Sequence, residues 1–437
     1  MSTMHAPSTS PLDVFNDVAL PRWAMIEQRL DDAQIDDIAG AVAGQFARSE
    51  IREAIQPGQK VALTAGSRGI DRIAEVMRAV VDQVKSLGAE PFIIPAMGSH
   101  AGATAEGQRE MIAHYGITEE TMGVPILASM ETVHLGTIEG DVPVYFDRIA
   151  YEQADAVIPI GRVKPHTSFR GKTESGLMKM LAIGLGKQQG ASWFHSQGVG
   201  TFGDLIPRVA HHTLSKVNIP FGIALVENGL GKMALIEAVP RAGMYDREGE
   251  LLEIAWSKMA LLPPLAAIDV LIVDEIGKDI SGDGADPNVI HRGVANELDF
   301  TGVKPEIQRA ILRGLTVNTD GNASGIGMFD FALRRAVDAM DPIPTYMNMI
   351  TAHAPSGANI PITVDTDRQA LALAIASAVM VPRTGARIVR IGSTKHLTRM
   401  YLSETLLEEA RGIDSIVDIG EPFGIGFDEG GMFTQGW

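Results

Sequence analysis

Short apolar runs alternate with longer segments of helical spacing along most of the chain. Residues 60–64 (KVALT) form one such run and end at the turn Ala65-Gly66-Ser67-Arg68-Gly69. The following 71–87 (DRIAEVMRAVVDQVKSL) places apolar residues three and four apart. That spacing predicts an amphipathic helix, with Asp71 as its N-cap and Gly88 as its stop. Residues 91–95 (PFIIP) give a second strand, which runs out at Gly98-Ser99-His100, and 154–160 (ADAVIPI) give a third, ending at Gly161-Arg162. Strand–helix–strand is the unit that builds a parallel sheet.

A second series begins near residue 263. Pro263-Pro264 breaks a helical segment over 250–262, and 268–273 (IDVLIV) form a strand that runs into a Gly- and Asp-rich loop. Residues 313–318 (RGLTVN) and 387–391 (RIVRI) repeat the apolar pattern. The expected fold class is α/β: two α/β domains with mainly parallel sheets and an active-site cleft between them. The first is expected over 13–265 and the second, closing the cleft, over 266–437, after a Ser/Thr/Pro-rich lead-in at 1–12 expected to be disordered. Arg68, His100 and His166 all fall just past a predicted strand end, where open α/β sheets place their ligands.

Composition narrows the chemistry. With 437 residues, 45% hydrophobic and 21% charged, the chain can bury a large core. Aromatics are only 5%, and 20 Met share the interior with Ala, Ile and Val. The net charge of −17 argues against nucleic-acid binding, which needs a basic surface. A small anionic ligand remains open wherever Arg and Lys cluster. The absence of Cys excludes disulfides, thiolate zinc sites, iron–sulfur clusters and thiol nucleophiles. No apolar run reaches membrane-spanning length, and the first residues lack the order of a secretory signal. The expectation is a cytoplasmic protein with no membrane partner. Its oligomeric state stays open, a homo-oligomer included.

Residues 160–200 read IGRVKPHTSFRGKTESGLMKMLAIGLGKQQGASWFHSQGVG and hold two His, four Lys, two Arg and eight Gly. So many polar and flexible residues suit a loop around an anionic ligand rather than a packing element. Two nucleotide motifs fail here. Phe169-Arg170-Gly171-Lys172-Thr173 resembles the end of a P-loop, but the position that needs its first Gly is His166. Gly184-Leu185-Gly186-Lys187 opens like a dinucleotide fingerprint, but the third Gly position is Gln189.

The stretch resembles the nickel-pincer lactate racemase family. The resemblance rests on His166, then Ser175-Gly176-Leu177-Met178-Lys179-Met180-Leu181-Ala182-Ile183-Gly184, then His195. Upstream, Gly98-Ser99-His100 and the turn Ser67-Arg68-Gly69 match in order and approximate spacing. The resemblance implies an α-hydroxy-acid racemase or epimerase. Its cofactor would be a nickel-pincer nucleotide, a pyridinium-3,5-bisthiocarboxylic acid mononucleotide carrying nickel, and its reaction a proton-coupled hydride transfer.

By the same resemblance, Lys179 would tether the cofactor and His195 would be its metal ligand, since one imidazole completes a square-planar site already holding a carbon and two sulfurs. His100 and His166 would be the acid/base pair, one for each face of the substrate. Lys164, Arg170, Gly176 and Gly184 would contact the cofactor. Arg68 is the first choice for the substrate carboxylate, because a guanidinium meets a carboxylate through two parallel hydrogen bonds. Lys278, in the acidic, Gly-rich loop of the second domain, is a further substrate contact. The partner is then a small 2-hydroxy acid, lactate-like or larger.

Alternatives stand beside this reading. Lys179 can be a snorkelling helix lysine and His195 a loop imidazole stacked on Trp193 and Phe194. The chain can also be a sugar-acid epimerase using the same cofactor, or a non-catalytic protein that binds and delivers it.

Overall fold

The computed structural model describes residues 11–15, 18–67, 69–294, 298–381 and 385–437. Arg68 and most of the expected disordered lead-in, residues 1–10, lie outside these; Pro11–Phe15 form a short 3-10 turn. The chain is α/β, and its sheets are mainly parallel. It divides into two compact units. One is Asp31–Met259; the other joins Met1–Leu30 to Ala260–Trp437. Among the described residues no helix is long and apolar enough to cross a membrane.

In the unit Asp31–Met259, strand Lys60–Ala65 lies between Glu90–Pro95 and Ala156–Ile158, parallel to both. Five of its six residues are buried, as its unbroken apolar run requires. Helix Ile73–Ser86 makes the crossover and buries Val76, Met77, Val80, Val81 and Val84. Removing such side chains from water stabilises by about 1.5–3 kcal/mol each. Gly88 ends the helix at φ +78, in the left-handed region that favours glycine.

Two details depart from the expected pattern. Asp71 is not the cap, because its carboxylate accepts the Met233 N–H at 3.0 Å and pairs with Lys232 at 3.4 Å. The cap position is Arg72, at φ 48. The expected strand 154–160 is two strands. Pro159 has no N–H for a ladder, and beyond it Ile160–Arg162 leaves for a separate sheet, parallel to Phe221–Glu227, which pairs antiparallel with Met233–Pro240. Helix Met244–Lys258 carries the apolar face expected at 250–262, and Pro263 lies past its end.

In the other unit, strand Ala267–Val273 runs parallel to Glu306–Leu312 and Ile388–Ile391, and the short strands Phe331–Leu333 and Ile362–Val364 extend the sheet. The expected strand at 313–318 is displaced: the strand is Glu306–Leu312, and Arg313 follows it. Arg313 is 9% exposed, pairs with Asp367 at 2.7 Å and Asp274 at 2.9 Å, and so stops the strand in a charge network. On the other side of the sheet, Arg399–Ser403, Arg22–Gln28 and Ile416–Ile419 are antiparallel. Residues 22–28, which fall within the expected first domain, form a strand that belongs with residues 260–437.

Candidate active site

The strand Ile160–Arg162 leads into a loop closed by two backbone bonds. Lys164 N–H donates to Ser175 at 3.1 Å and Ser175 N–H to Lys164 at 3.2 Å. The loop between them carries His166 and Arg170 and is braced from inside. Glu174 is buried and accepts the His166 N–H at 2.5 Å. Burial raises its carboxyl above the usual range, while the His166 amide and the Arg170 charge pull the other way. Arg170 donates to the carbonyls of His166 (2.8 Å) and Phe169 (3.1 Å), and its guanidinium lies 5.2 Å from the Trp256 ring. Ser168 N–H donates to His166 Nδ1 at 3.0 Å. A ring nitrogen that accepts a hydrogen bond carries no proton, so the neutral His166 ring is protonated on Nε2.

After Gly176 the chain makes one helical turn, Leu177–Lys179, and continues as a π-helical turn, Met180–Gly184. Single π turns inside helices are rare and gather at functional sites. The Glu248 carboxylate, from helix Met244–Lys258, accepts the Met178 N–H at 2.9 Å and so fastens the first turn. Glu248 is fully buried, and its Oε1 has no hydrogen-bond partner among the described residues. Burial pushes its pKa up to about 7, against the bonds from Met178 and Leu177. A Cβ at Gly176 would stand 2.5 Å from that Oε1, and one at Gly184 would stand 2.8 Å from the Ala96 carbonyl oxygen. At both glycines, which the resemblance assigned to cofactor contact, the protein's own atoms leave no room for a side chain.

Three of the expected groups meet on an aromatic floor. Lys179 Nζ lies 5.8 Å from the Phe169 ring centroid, and the His166 ring lies 4.3 Å from the same ring. Phe169 touches Phe202 edge-on at 5.6 Å, and Phe202 meets His195 at 5.6 Å. Lys179, His166 and His195 are each half-buried. His195 stands near the end of helix Lys187–Ser196. His100 is exposed, on the extension of strand Glu90–Pro95, with Nδ1 bonded to the Ser67 hydroxyl. Its loop is tied to the π turn through Gly98 N–H and the Gly184 carbonyl at 3.2 Å. Arg68, the next residue after Ser67, is outside the described residues. Lys278 belongs to the other unit, where its ammonium donates to the Gly282 carbonyl at 2.5 Å.

A family model described as "Domain of unknown function (DUF362)" matches residues 63–381. The chain belongs to the DUF362 family. Its description assigns no chemistry and differs from the family that the motifs resemble. No curated protein matches this DUF362 chain. Two solved structures are similar to it. One is a structural-genomics protein from Thermotoga maritima, at 15% identity and a TM-score of 0.48, covering 83% of this chain and 99% of that one. The other is the lactate racemase apoprotein from Thermoanaerobacterium thermosaccharolyticum, at 15% identity and 0.46, covering 86% and 89%. At these values neither neighbour speaks for the chemistry of the DUF362 chain.

Among the described residues no three His, Asp or Glu gather in metal-binding geometry. The donors present are two half-buried imidazoles, His166 beside Phe169 and His195 beside Phe202, and the half-buried amine of Lys179 beside Phe169. That donor set fits a metal whose other donors arrive within an organic cofactor. Sequence reasoning missed Phe169, Phe202, Glu174 and Glu248. Glu248 left a signal: it sits on the buried stripe of its helix with Met244, Leu251, Leu252 and Ala255, where an unpaired acid is out of place.

Proposed function

We propose that this DUF362 chain is a racemase or epimerase of small 2-hydroxy acids that works with a lysine-tethered nickel-pincer nucleotide. The motif resemblance suggests the cofactor. The observation that carries the reading is the meeting of Lys179, His166 and His195 at Phe169 and Phe202, with the His100 loop bonded to the turn that follows Lys179.

Lys179 would hold the cofactor through its amine, and His195 would be the protein ligand of nickel. When bound, the cofactor supplies a site that takes up and returns a hydride. The protein's work is positioning and proton handling. His100 and His166 serve the substrate hydroxyl, one for each face. For His166 to take a proton at Nε2, its other ring proton must sit on Nδ1, so the Ser168 bond opens during that step. Phe169 and Phe202 give the site an apolar floor, which strengthens electrostatic contacts made above it. Arg170 also braces the loop that carries His166, and Arg68, Lys164 and Arg170 are the cations proposed for anion contact.

The test is intact mass and metal analysis of protein from a host that makes the cofactor. The expected result is a cofactor-sized adduct on Lys179 with an equimolar amount of nickel. An unmodified, nickel-free protein from such a host overturns the reading.

A further inference from the structure

Lys187 belongs to the failed dinucleotide motif and has no part in the proposed chemistry. Its placement is nonetheless costly. It opens helix Lys187–Ser196 in the left-handed region, at φ +54, although it is not a glycine. Its ammonium is sealed from solvent and pairs with Asp147 at 2.8 Å, the two side chains being 0% and 1% exposed. It also donates to the Pro95 carbonyl at 2.5 Å. Asp147 in turn accepts the Ala150 N–H at 2.8 Å and caps helix Arg148–Gln153.

These contacts fasten two segments of chain at two points. Pro95 is held by Lys187, and three residues further along, Gly98 N–H bonds the carbonyl of Gly184, three residues before Lys187. The first segment continues to His100. The second has Lys179 just before it and His195 just after. A buried ion pair adds little net stability over an apolar pair of the same volume, because desolvating both charges offsets their attraction. What the ammonium supplies and a methionine cannot is a directed bond to one carbonyl.

We infer that Lys187, neutralised by Asp147, is a positioning residue that sets the His100 loop against the segment carrying Lys179 and His195. The inference rests on the proposed reading of those three residues as the site. Asp147 makes burial of the ammonium tolerable, the ammonium fixes Pro95, and Pro95 fixes the departure of the loop.

The test is amide hydrogen exchange on cofactor-free protein carrying Asp147→Asn with Lys187→Met. This double variant keeps the cap on Ala150 and the buried volumes while removing both charges. The expected result is a folded protein with a modestly lowered melting midpoint and with exchange over residues 96–100 faster by roughly tenfold, the loss of one hydrogen bond. In cofactor-loaded protein the same variant keeps its nickel and loses kcat with KM unchanged. Unchanged exchange over 96–100 in a folded double variant overturns the inference. Failure of the double variant to fold also overturns it, since the pair would then serve global stability rather than placement. Exchange is read without cofactor, so this result stands apart from the fate of the nickel assignment.

Discussion

The role of an imidazole depends on what holds its second nitrogen. At His166 that nitrogen accepts a backbone N–H, at His100 it meets a hydroxyl, and the His195 ring packs against Phe202. The proposed roles separate accordingly. His195→Ala is expected to lose nickel while the fold survives, read by metal analysis and melting. His100→Ala and His166→Ala are each expected to keep nickel and the Lys179 adduct, with turnover lowered by about 10²–10⁴. Retained turnover in either would remove that residue from the proposed chemistry. Glu248 gives a prediction that needs no cofactor. Its pKa in the folded protein, about 7, lies above its ordinary 4.5, so the folded state binds its proton more tightly than the unfolded state does. Stability from this group is therefore full below the ordinary value, falls as pH rises between the two values, and is flat above them. The slope is at most roughly 1 kcal/mol per pH unit. Glu248→Gln keeps an acceptor for Met178 and should flatten that slope. Melting midpoints at several pH values across this window would show it, and an equal slope in both proteins would sink the assignment.

At the scale of elements, the π turn Met180–Gly184 is held by close approach. An alanine at Gly184 would press against Met180 Sδ at 2.7 Å as well as the Ala96 carbonyl. Gly184→Ala should cost about 1–3 kcal/mol in denaturant unfolding. Gly44 is the control: it is exposed in helix Ile38–Phe46, and a methyl group added there would meet nothing within 4 Å, so Gly44→Ala should stabilise by about 0.5–1 kcal/mol. Elements were legible in the sequence where burial on both faces removes polar residues. Lys60–Ala65, Glu90–Pro95 and Ala267–Val273 are of this kind. Glu306–Leu312 was not, because Glu306, Gln308 and Arg309 interrupt the run on a half-exposed stretch. The hairpin Thr132–Ile138 with Val142–Asp147 was missed for the same reason, being only partly buried along its first strand. The loop chemistry of His166, Lys179 and His195 could be picked out by composition. The Phe169–Phe202 floor could not, since the two rings lie far apart in sequence and meet only when helix Phe202–Lys216 packs.

At the scale of the molecule, one unit is continuous in sequence and the other is not. Arg22–Gln28 lies between Arg399–Ser403 and Ile416–Ile419, so an interior strand of one sheet comes from the far end of the chain. Trp23 on that strand is fully buried, stacks on Tyr401 at 4.7 Å and lies 5.3 Å from Phe433. Arg390 joins the same cluster, 5.9 Å from the Trp23 ring and bonded to Asp274 at 2.7 Å. Without the strand, two neighbours would each gain an unpaired edge, and a large aromatic contact would be lost, about 3–5 kcal/mol for the tryptophan alone. That is a large fraction of a domain's whole stability. Residues 31–259 need no such contribution, because every sheet in that unit is made from within it. The expectation is that 31–259 expressed alone unfold in one cooperative transition, while 260–437 alone stay unfolded until a peptide of residues 11–30 is added. Circular dichroism with and without the peptide would check this. Independent folding of 260–437 would mean that the strand decorates a finished sheet rather than completing it.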